Sequence, residues 1–145
     1  MILVDANLLI YAVNKNSPQH RVARKWLETT LSGAGAVGLP WIVVLAFLRI
    51  TTRPGILEHP LTGEQALEYI DEWLALPVVS LVAPGERNWP VFCNFLLATG
   101  TFGNLTSDAH IAAMTIENGA TIYSADYDFR RFPGVQHINP LVRTD

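Results

Sequence analysis

Thirteen acidic residues occur in the chain, and four of them stand apart: Asp5, Asp108, Asp126 and Asp128. Most of the others fall on the polar faces of amphipathic segments, whereas these four sit beside the ends of short apolar runs. Asp5 stops the run Met1 to Val4, Asp126 follows Thr121 to Ser124, Asp128 lies two residues on, and Asp108 opens a helical pattern. Ligands of open α/β sheets gather beyond the carboxyl ends of strands, and a helix N-terminus favours a carboxylate. Three or four carboxylates meeting at such an edge repel one another, and the usual relief is a hard divalent cation bound through oxygen. The implied ion is Mg²⁺, with Mn²⁺ as a substitute. Acid-bound ions of this kind activate water and stabilise the leaving oxygen in phosphodiester hydrolysis, so the chemistry expected is that of a nuclease. Singly, each Asp fits a turn or a helix cap better than a catalytic part; the joint pattern carries the reading.

These acids need a scaffold, and the apolar periodicity supplies one. Met1 to Val4 reads as a buried strand running into a helix over Asn7 to Val13. Pro18 to Leu31 has helical spacing in Val22, Ala23, Trp26 and Leu27, with Pro18 at its start and Gly33 as its stop. Ala36 to Leu39 suits a strand, Pro40 to Thr51 a buried helix ended by Pro54 and Gly55. Thr62 and Gln65 have the form of a capping box, followed by an apolar face of Ala66, Leu67, Ile70, Trp73 and Leu74. Val78 to Val82 then reads as a strand, Glu86 to Ala98 and Ser107 to Asn118 as helices, the latter with Gly119 as its C-terminal glycine. Thr121 to Ser124 and Val135 to Ile138 complete the strands. This alternation predicts an α/β sandwich, a central mainly parallel sheet flanked by helices, as one domain over residues 1–145.

Composition agrees. The chain has 145 residues, is 50% hydrophobic and carries a formal net charge of −3. A domain of that size buries about 68–70% of its unfolded surface and needs no disulfide or structural metal to hold a core. The single Cys93 offers neither an intramolecular bridge nor a thiolate zinc site. The apolar run Leu39 to Leu48 contains Pro40 and falls short of the ~18 residues a membrane helix needs. Without a basic n-region and cleavage site at the start, a cytoplasmic protein with no membrane partner is expected.

At three points the residues resemble a known family, the PIN-domain ribonucleases, and within it the VapC toxins of bacterial toxin–antitoxin pairs. Ile2-Leu3-Val4-Asp5-Ala6-Asn7-Leu8-Leu9-Ile10-Tyr11 resembles the family's first strand with its metal-binding acid. Leu105-Thr106-Ser107-Asp108-Ala109-His110-Ile111-Ala112-Ala113 resembles its third-acid helix, and Thr121-Ile122-Tyr123-Ser124-Ala125-Asp126-Tyr127-Asp128-Phe129 its last acidic turn. The ending Phe132-Pro133-Gly134-Val135 and Pro140-Leu141 fits as well. The resemblance covers nearly the whole chain. It implies a PIN-like three-layer sandwich and an Mg²⁺-dependent endoribonuclease with Asp5, Asp108 and Asp126 as catalytic acids. It also implies RNA as substrate and a small VapB-like antitoxin covering the site; Asp128, two residues after Asp126, is read as a further metal ligand, directly or through water. A homodimer or a toxin–antitoxin hetero-oligomer is the implied assembly. One departure stands out: Ala46, within Leu45-Ala46-Phe47-Leu48-Arg49, occupies the place where the family commonly carries Glu. One carboxylate fewer weakens the hold on a second ion. The alternative is accordingly a catalytically weak PIN-like module that binds RNA or protein.

Neighbouring residues are assigned supporting parts. Asn7 orients Asp5 or bonds a water in the site, against an ordinary helix-start role. Thr106 and Ser107 are expected to cap their helix, with hydroxyl contact to the site as a secondary role. Ser124 reads as a turn hydroxyl or a partner of a site water, and His110 as structural. Positive charge for RNA phosphates is local: Arg49 and Arg53, one turn apart, and Arg130 with Arg131 after the last acidic turn. His20, Arg21, Arg24 and Lys25 read rather as a solvated face. The four tryptophans, Trp26, Trp41, Trp73 and Trp89, lie in apolar helical patterns and are expected in core or interface.

Two patterns point elsewhere and are set aside. Gly33 to Gly38 spells a dinucleotide-binding glycine pattern, but a helix precedes it and Pro40 follows, where that motif needs a strand before and a helix after. An aspartyl-phosphate phosphatase resembling the haloacid dehalogenase group carries a second acid two positions after its first, and here that position is Asn7.

Overall fold

The structure, a computed structural model, describes residues 1–100 and 102–142. The last three residues of the expected 1–145 domain lie outside the described residues. Among the described residues five strands form one sheet in the order β3-β2-β1-β4-β5, every pair parallel. The strands are β1 (Ile2–Val4), β2 (Val37–Pro40), β3 (Val79–Val82), β4 (Thr121–Tyr123) and β5 (His137–Ile138). The helices are α1 (Ala6–Val13), α2 (His20–Leu31), α3 (Trp41–Thr52), α4 (Gly63–Leu74), α5 (Asn88–Thr99) and α6 (Thr106–Glu117). Short 3-10 segments cover Gly103–Leu105 and Tyr127–Arg131.

Helices cover both faces of the central strands, so β1 and β2 are buried almost throughout, whereas the edge strands β3 and β5 leave Ser80 and Ile138 exposed. Leu3, Val4, Val37, Leu39 and Ile122 are essentially inaccessible, as are Leu8, Leu9, Phe47, Met114 and Phe129 from the flanking segments. Close packing shows at Gly38 in β2, where an added Cβ would fall 2.5 Å from Leu3 and 2.7 Å from Val82. Side chains from the strands on either side close over that glycine.

Several local expectations hold. Thr62 Oγ1 accepts from the Gln65 amide at 3.1 Å while Gln65 Oε1 accepts from the Thr62 amide at 3.0 Å, the complete capping box of α4. At the end of α6, Gly119 adopts φ +56°, and the Ala120 and Gly119 amides reach back to Thr115 O and Ile116 O, a Schellman closure.

Others need correction. Helix α2 starts at His20, not Pro18, because Asn14 to Gln19 first makes turns of its own: Ser17 N bonds Asn14 O and His20 N bonds Ser17 O. Thr106 and Ser107 do not cap α6. A 3-10 turn leads straight into it, the Thr106 amide bonds Gly103 O, and the N-cap position is Leu105 without a side-chain bond. Leu67 leaves the apolar face of α4 and is half exposed. Trp73 is buried and Trp26 stacks on Tyr123, as expected of core residues, while Trp41 and Trp89 lie outside the core on the surface of the single chain. No helix among the described residues is long and apolar enough to cross a membrane.

Candidate metal centre at the carboxyl edge of the sheet

Strand order fixes where the site forms. From β1 the chain builds outward to β2 and β3, then returns to the other side of β1 with β4 and β5. The reversal lies between β1 and β4, and a crevice opens beyond their carboxyl ends. Asp5 follows β1 directly and serves as N-cap of α1, its Oδ1 accepting from the Ala6 amide at 2.8 Å. Ser124 follows β4. The two turns meet: Ser124 Oγ donates to Asp5 Oδ2 at 2.6 Å, and the Asp5 amide bonds Tyr123 O at 3.0 Å.

Asn7, on the first turn of α1, spans the same gap. Its Nδ2 donates to Ser124 Oγ at 3.2 Å and to Asp5 Oδ2 at 3.4 Å, and its Oδ1 accepts from the Ala125 amide at 3.3 Å. Ser124 Oγ also accepts from the Asp126 amide at 2.9 Å. The serine hydroxyl is therefore the hub joining the first acid to the last acidic turn, a part the sequence reading gave it only as a turn hydroxyl or water partner.

Asp108, Asp126 and Asp128 offer carboxylate oxygens that all lie within 4.8 Å of one another. Asp108 reaches the crevice from the first turn of α6, Asp126 as N-cap of the 3-10 segment, and Asp128 from within it. The Asp128 amide bonds Asp126 Oδ1 at 2.9 Å, which ties the last two acids together. Arg131 lies 3.9 Å from Asp128 on the exposed side, a loose contact. Asp5 is outside this group of three but close enough for its charge to act on Asp108.

The electrostatics record the crowding. Asp108 is pushed up to about 8, first by burial, then by the negative charge of Asp126 and a hydrogen bond with it, with Asp5 and Asp128 adding to the effect. Burial also raises Asp5, which is only 8% exposed, against the opposing bonds from Ser124 and Ala6. A proton kept on Asp108 and hydrogen-bonded to Asp126 relieves the repulsion, and a divalent cation relieves it more completely. The donor set is all carboxylate oxygen, which suits a hard ion such as Mg²⁺ or Mn²⁺ rather than a soft one. Asp5 Oδ1 and Asp126 Oδ1 each accept one amide bond and keep a further lone pair for a ligand.

The remaining expected residues lie at various distances from this crevice. Ser107 is exposed beside Asp108 on the first turn of α6. Arg49 and Arg53 mark the last turn and C-cap of α3. That helix starts where β2 ends, so at 1.5 Å per residue Arg49 sits about 12 Å along it from the carboxyl edge. Arg130 is nearer, but its guanidinium lies 4.5 Å over the Tyr127 ring and its Nε donates to His137 Nδ1. On α2, Arg21, Arg24 and Lys25 are exposed and Arg24 pairs with Glu28, in keeping with a solvated face, whereas His20 departs from it, half buried with Nδ1 2.9 Å from Tyr11 O. His110 meets Phe92 of α5 edge-on, and burial lowers its pKa, as suits a structural histidine. Ala46 is half buried on α3 and brings no oxygen.

The PIN domain family model matches residues 2–135. The chain belongs to the PIN-domain family. Ribonuclease VapC37 of Mycobacterium tuberculosis is 44% identical over 140 residues, covering 97% of each chain. Ribonuclease VapC33 of the same species is 40% identical over 141 residues, covering 97% of this chain and 99% of the other. Among solved structures, VapBC2 from Rickettsia felis bound to a DNA fragment from its promoter superposes with a TM-score of 0.71 at 19% identity, covering 96% and 98%. Within the PIN family the chain therefore groups with the VapC ribonucleases, and the five-stranded parallel sheet is the family's fold.

Proposed function

We propose that this chain is a single-domain, Mg²⁺-dependent endoribonuclease, with Mn²⁺ able to substitute, acting in the cytoplasm as the toxin of a toxin–antitoxin pair. The observation that carries the proposal is the convergence of Asp108, Asp126 and Asp128 within 4.8 Å, with Asp108 pushed up to about 8 by its neighbours. Kinship with the VapC ribonucleases supports the substrate class, and likeness to a VapBC structure supports a VapB-like antitoxin partner.

A bound divalent ion supplies Lewis acidity, lowering the pKa of water and stabilising charge on the leaving oxygen of an RNA phosphodiester. Asp108, Asp126 and Asp128 would hold the ion, and Asp5 completes the acid set from the β1 side. Ser124 and Asn7 keep the Asp5 carboxylate aimed by filling its Oδ2 with donated hydrogen bonds. Arg130 and Arg131, exposed on the same turn as Asp128, would supply positive charge for the RNA phosphates.

Purified protein freed of its partner is expected to cleave total RNA with Mg²⁺ or Mn²⁺, to stop on chelation, and to lose cleavage in Asp5→Ala and Asp108→Ala variants that melt normally. Equal cleavage by well-folded variants would overturn the site. A second reading, a binding module, is favoured by Ala46 alone; it requires wild-type protein that takes up no Mn²⁺ at millimolar concentration.

A further inference from the structure

We propose that His137 is a positioning residue for the metal centre, acting through the peptide unit between Ser124 and Ala125; this rests on the metal-binding reading above. His137 lies on β5, a two-residue edge strand, and was not among the residues the sequence singled out. Its Nε2 is 2.8 Å from Ser124 O. A carbonyl only accepts, so Nε2 carries the proton and Nδ1 is left as an acceptor. Arg130 Nε, which only donates, meets that Nδ1 at 3.2 Å. The tautomer is thus fixed from both sides.

The ring is also held by packing. It stacks on Phe129, with centroids 6.1 Å apart and planes 18° apart, and Phe129 is fully buried. Tyr127 meets it edge-on at 5.6 Å, and Arg130 covers Tyr127 in turn. What this imidazole grips decides its role. The Ser124 carbonyl and the Ala125 amide belong to one planar unit. His137 Nε2 holds the oxygen end at 2.8 Å, and Asn7 Oδ1 holds the nitrogen end at 3.3 Å. The strand ladder has ended one bond earlier, at the amide of Ser124 bonded to Ile138 O. The rotation of this plane is held by these two side chains rather than by the sheet, and together with the Ser124 Oγ bond to the Asp126 amide it sets the direction in which the chain enters Asp126. Outer groups that orient metal ligands typically account for about 10- to 100-fold in metal affinity.

Two substitutions separate the hydrogen bond from the packing. His137→Phe keeps an aromatic ring against Phe129 and loses both hydrogen bonds; His137→Gln loses the ring and keeps a side-chain N–H able to reach Ser124 O. Titration calorimetry with Mn²⁺, in the absence of RNA, is expected to give about tenfold weaker binding for His137→Phe and binding within about twofold of wild type for His137→Gln. Wild-type affinity in His137→Phe, or equal weakening in both variants, would overturn the proposal. If His137→Phe fails to fold, Arg130→Met decides. Loss of the donor to Nδ1 is expected to weaken Mn²⁺ binding about two- to fivefold, and no change would overturn the proposal. Should the wild type itself bind no Mn²⁺, the metal-binding reading falls first and this inference with it. Binding by wild type and His137→Phe alike sinks this inference alone.

Discussion

Acidic side chains occupy two regions of this molecule under opposite conditions. On α2 and α4, Glu28 pairs with Arg24 at 2.9 Å, and Glu64, Glu68, Asp71 and Glu72 stand in water. Each is spaced along a helix, free to be hydrated, and Glu64 lies in the first turn where the helix dipole welcomes it. At the carboxyl edge of the sheet, Asp5, Asp108, Asp126 and Asp128 are brought together by three separate segments, and all but the exposed Asp128 are partly stripped of water. The first arrangement costs the fold almost nothing. The second makes the fold hold like charges together, a cost the metal-free protein bears and a divalent cation removes. The contrast separates acids that keep a surface soluble from acids whose unfavourable placement stores affinity for a ligand.

Changing one acid in each region tests that contrast most sharply. Asp108→Asn is expected to weaken Mn²⁺ binding and RNA cleavage by at least about a hundredfold while raising the melting temperature of the metal-free protein. Glu72→Gln is expected to leave all three unchanged. Calorimetry and thermal melting side by side check both.

Next in size is the dependence on pH. Asp108, pushed up to about 8, and Asp5, also raised, bind protons in the folded state at pH values where the unfolded chain has released them. Their contribution to stability is therefore fully present below the usual Asp range and lost as pH rises towards 8. Thermal melting of the metal-free protein should fall between pH 5 and pH 8, and Mn²⁺ should raise the melting temperature more at pH 8 than at pH 5. The slope should flatten in Asp108→Asn. A metal-free melting temperature that climbs over this range would refute the assignment of crowded, protonated acids.

Ser124→Ala, which removes a donor from the buried Asp5 carboxylate, should cost about 1–3 kcal/mol in stability. It should also weaken Mn²⁺ binding by roughly tenfold, measured by denaturant unfolding and calorimetry. Thr62→Ala, in the capping box of α4, should cost about 1 kcal/mol and lower the melting temperature by about 2–4 °C with Mn²⁺ affinity untouched.

The sequence exposed whatever is encoded locally. Asp5 stood out because an apolar strand stops on it and a helix starts at once, and the Thr62 and Gln65 box and the Gly119 stop are short-range chemistry of the same kind. The parallel α/β sandwich followed from the alternation of periods. The connections across the crevice were hidden, since Ser124 lies 119 residues from Asp5 and only the reversal of strand order makes them neighbours. His137 carried no signal because its partners are a backbone carbonyl and an arginine seven positions earlier. Thr106 and Ser107 looked like caps because the preceding 3-10 turn, which supplies the bond a cap would make, has no strong sequence signature. Trp41 and Trp89, expected in core or interface, lie outside the core because helical spacing identifies an apolar position without saying what covers it.

The Asn7 amide touches both turns of the crevice at once, giving hydrogen bonds to Asp5 and Ser124 and taking one from Ala125. It thereby acts as a gauge of chain length. One residue added or removed between Val4 and Asn7, or between Tyr123 and Asp126, would slide one turn past the other by a full Cα step of about 3.8 Å, beyond the reach of a single carboxamide. Insertions and deletions should therefore be absorbed by segments such as Pro54 to Leu61, and the two acidic turns should be rigid in length even where their side chains are replaced.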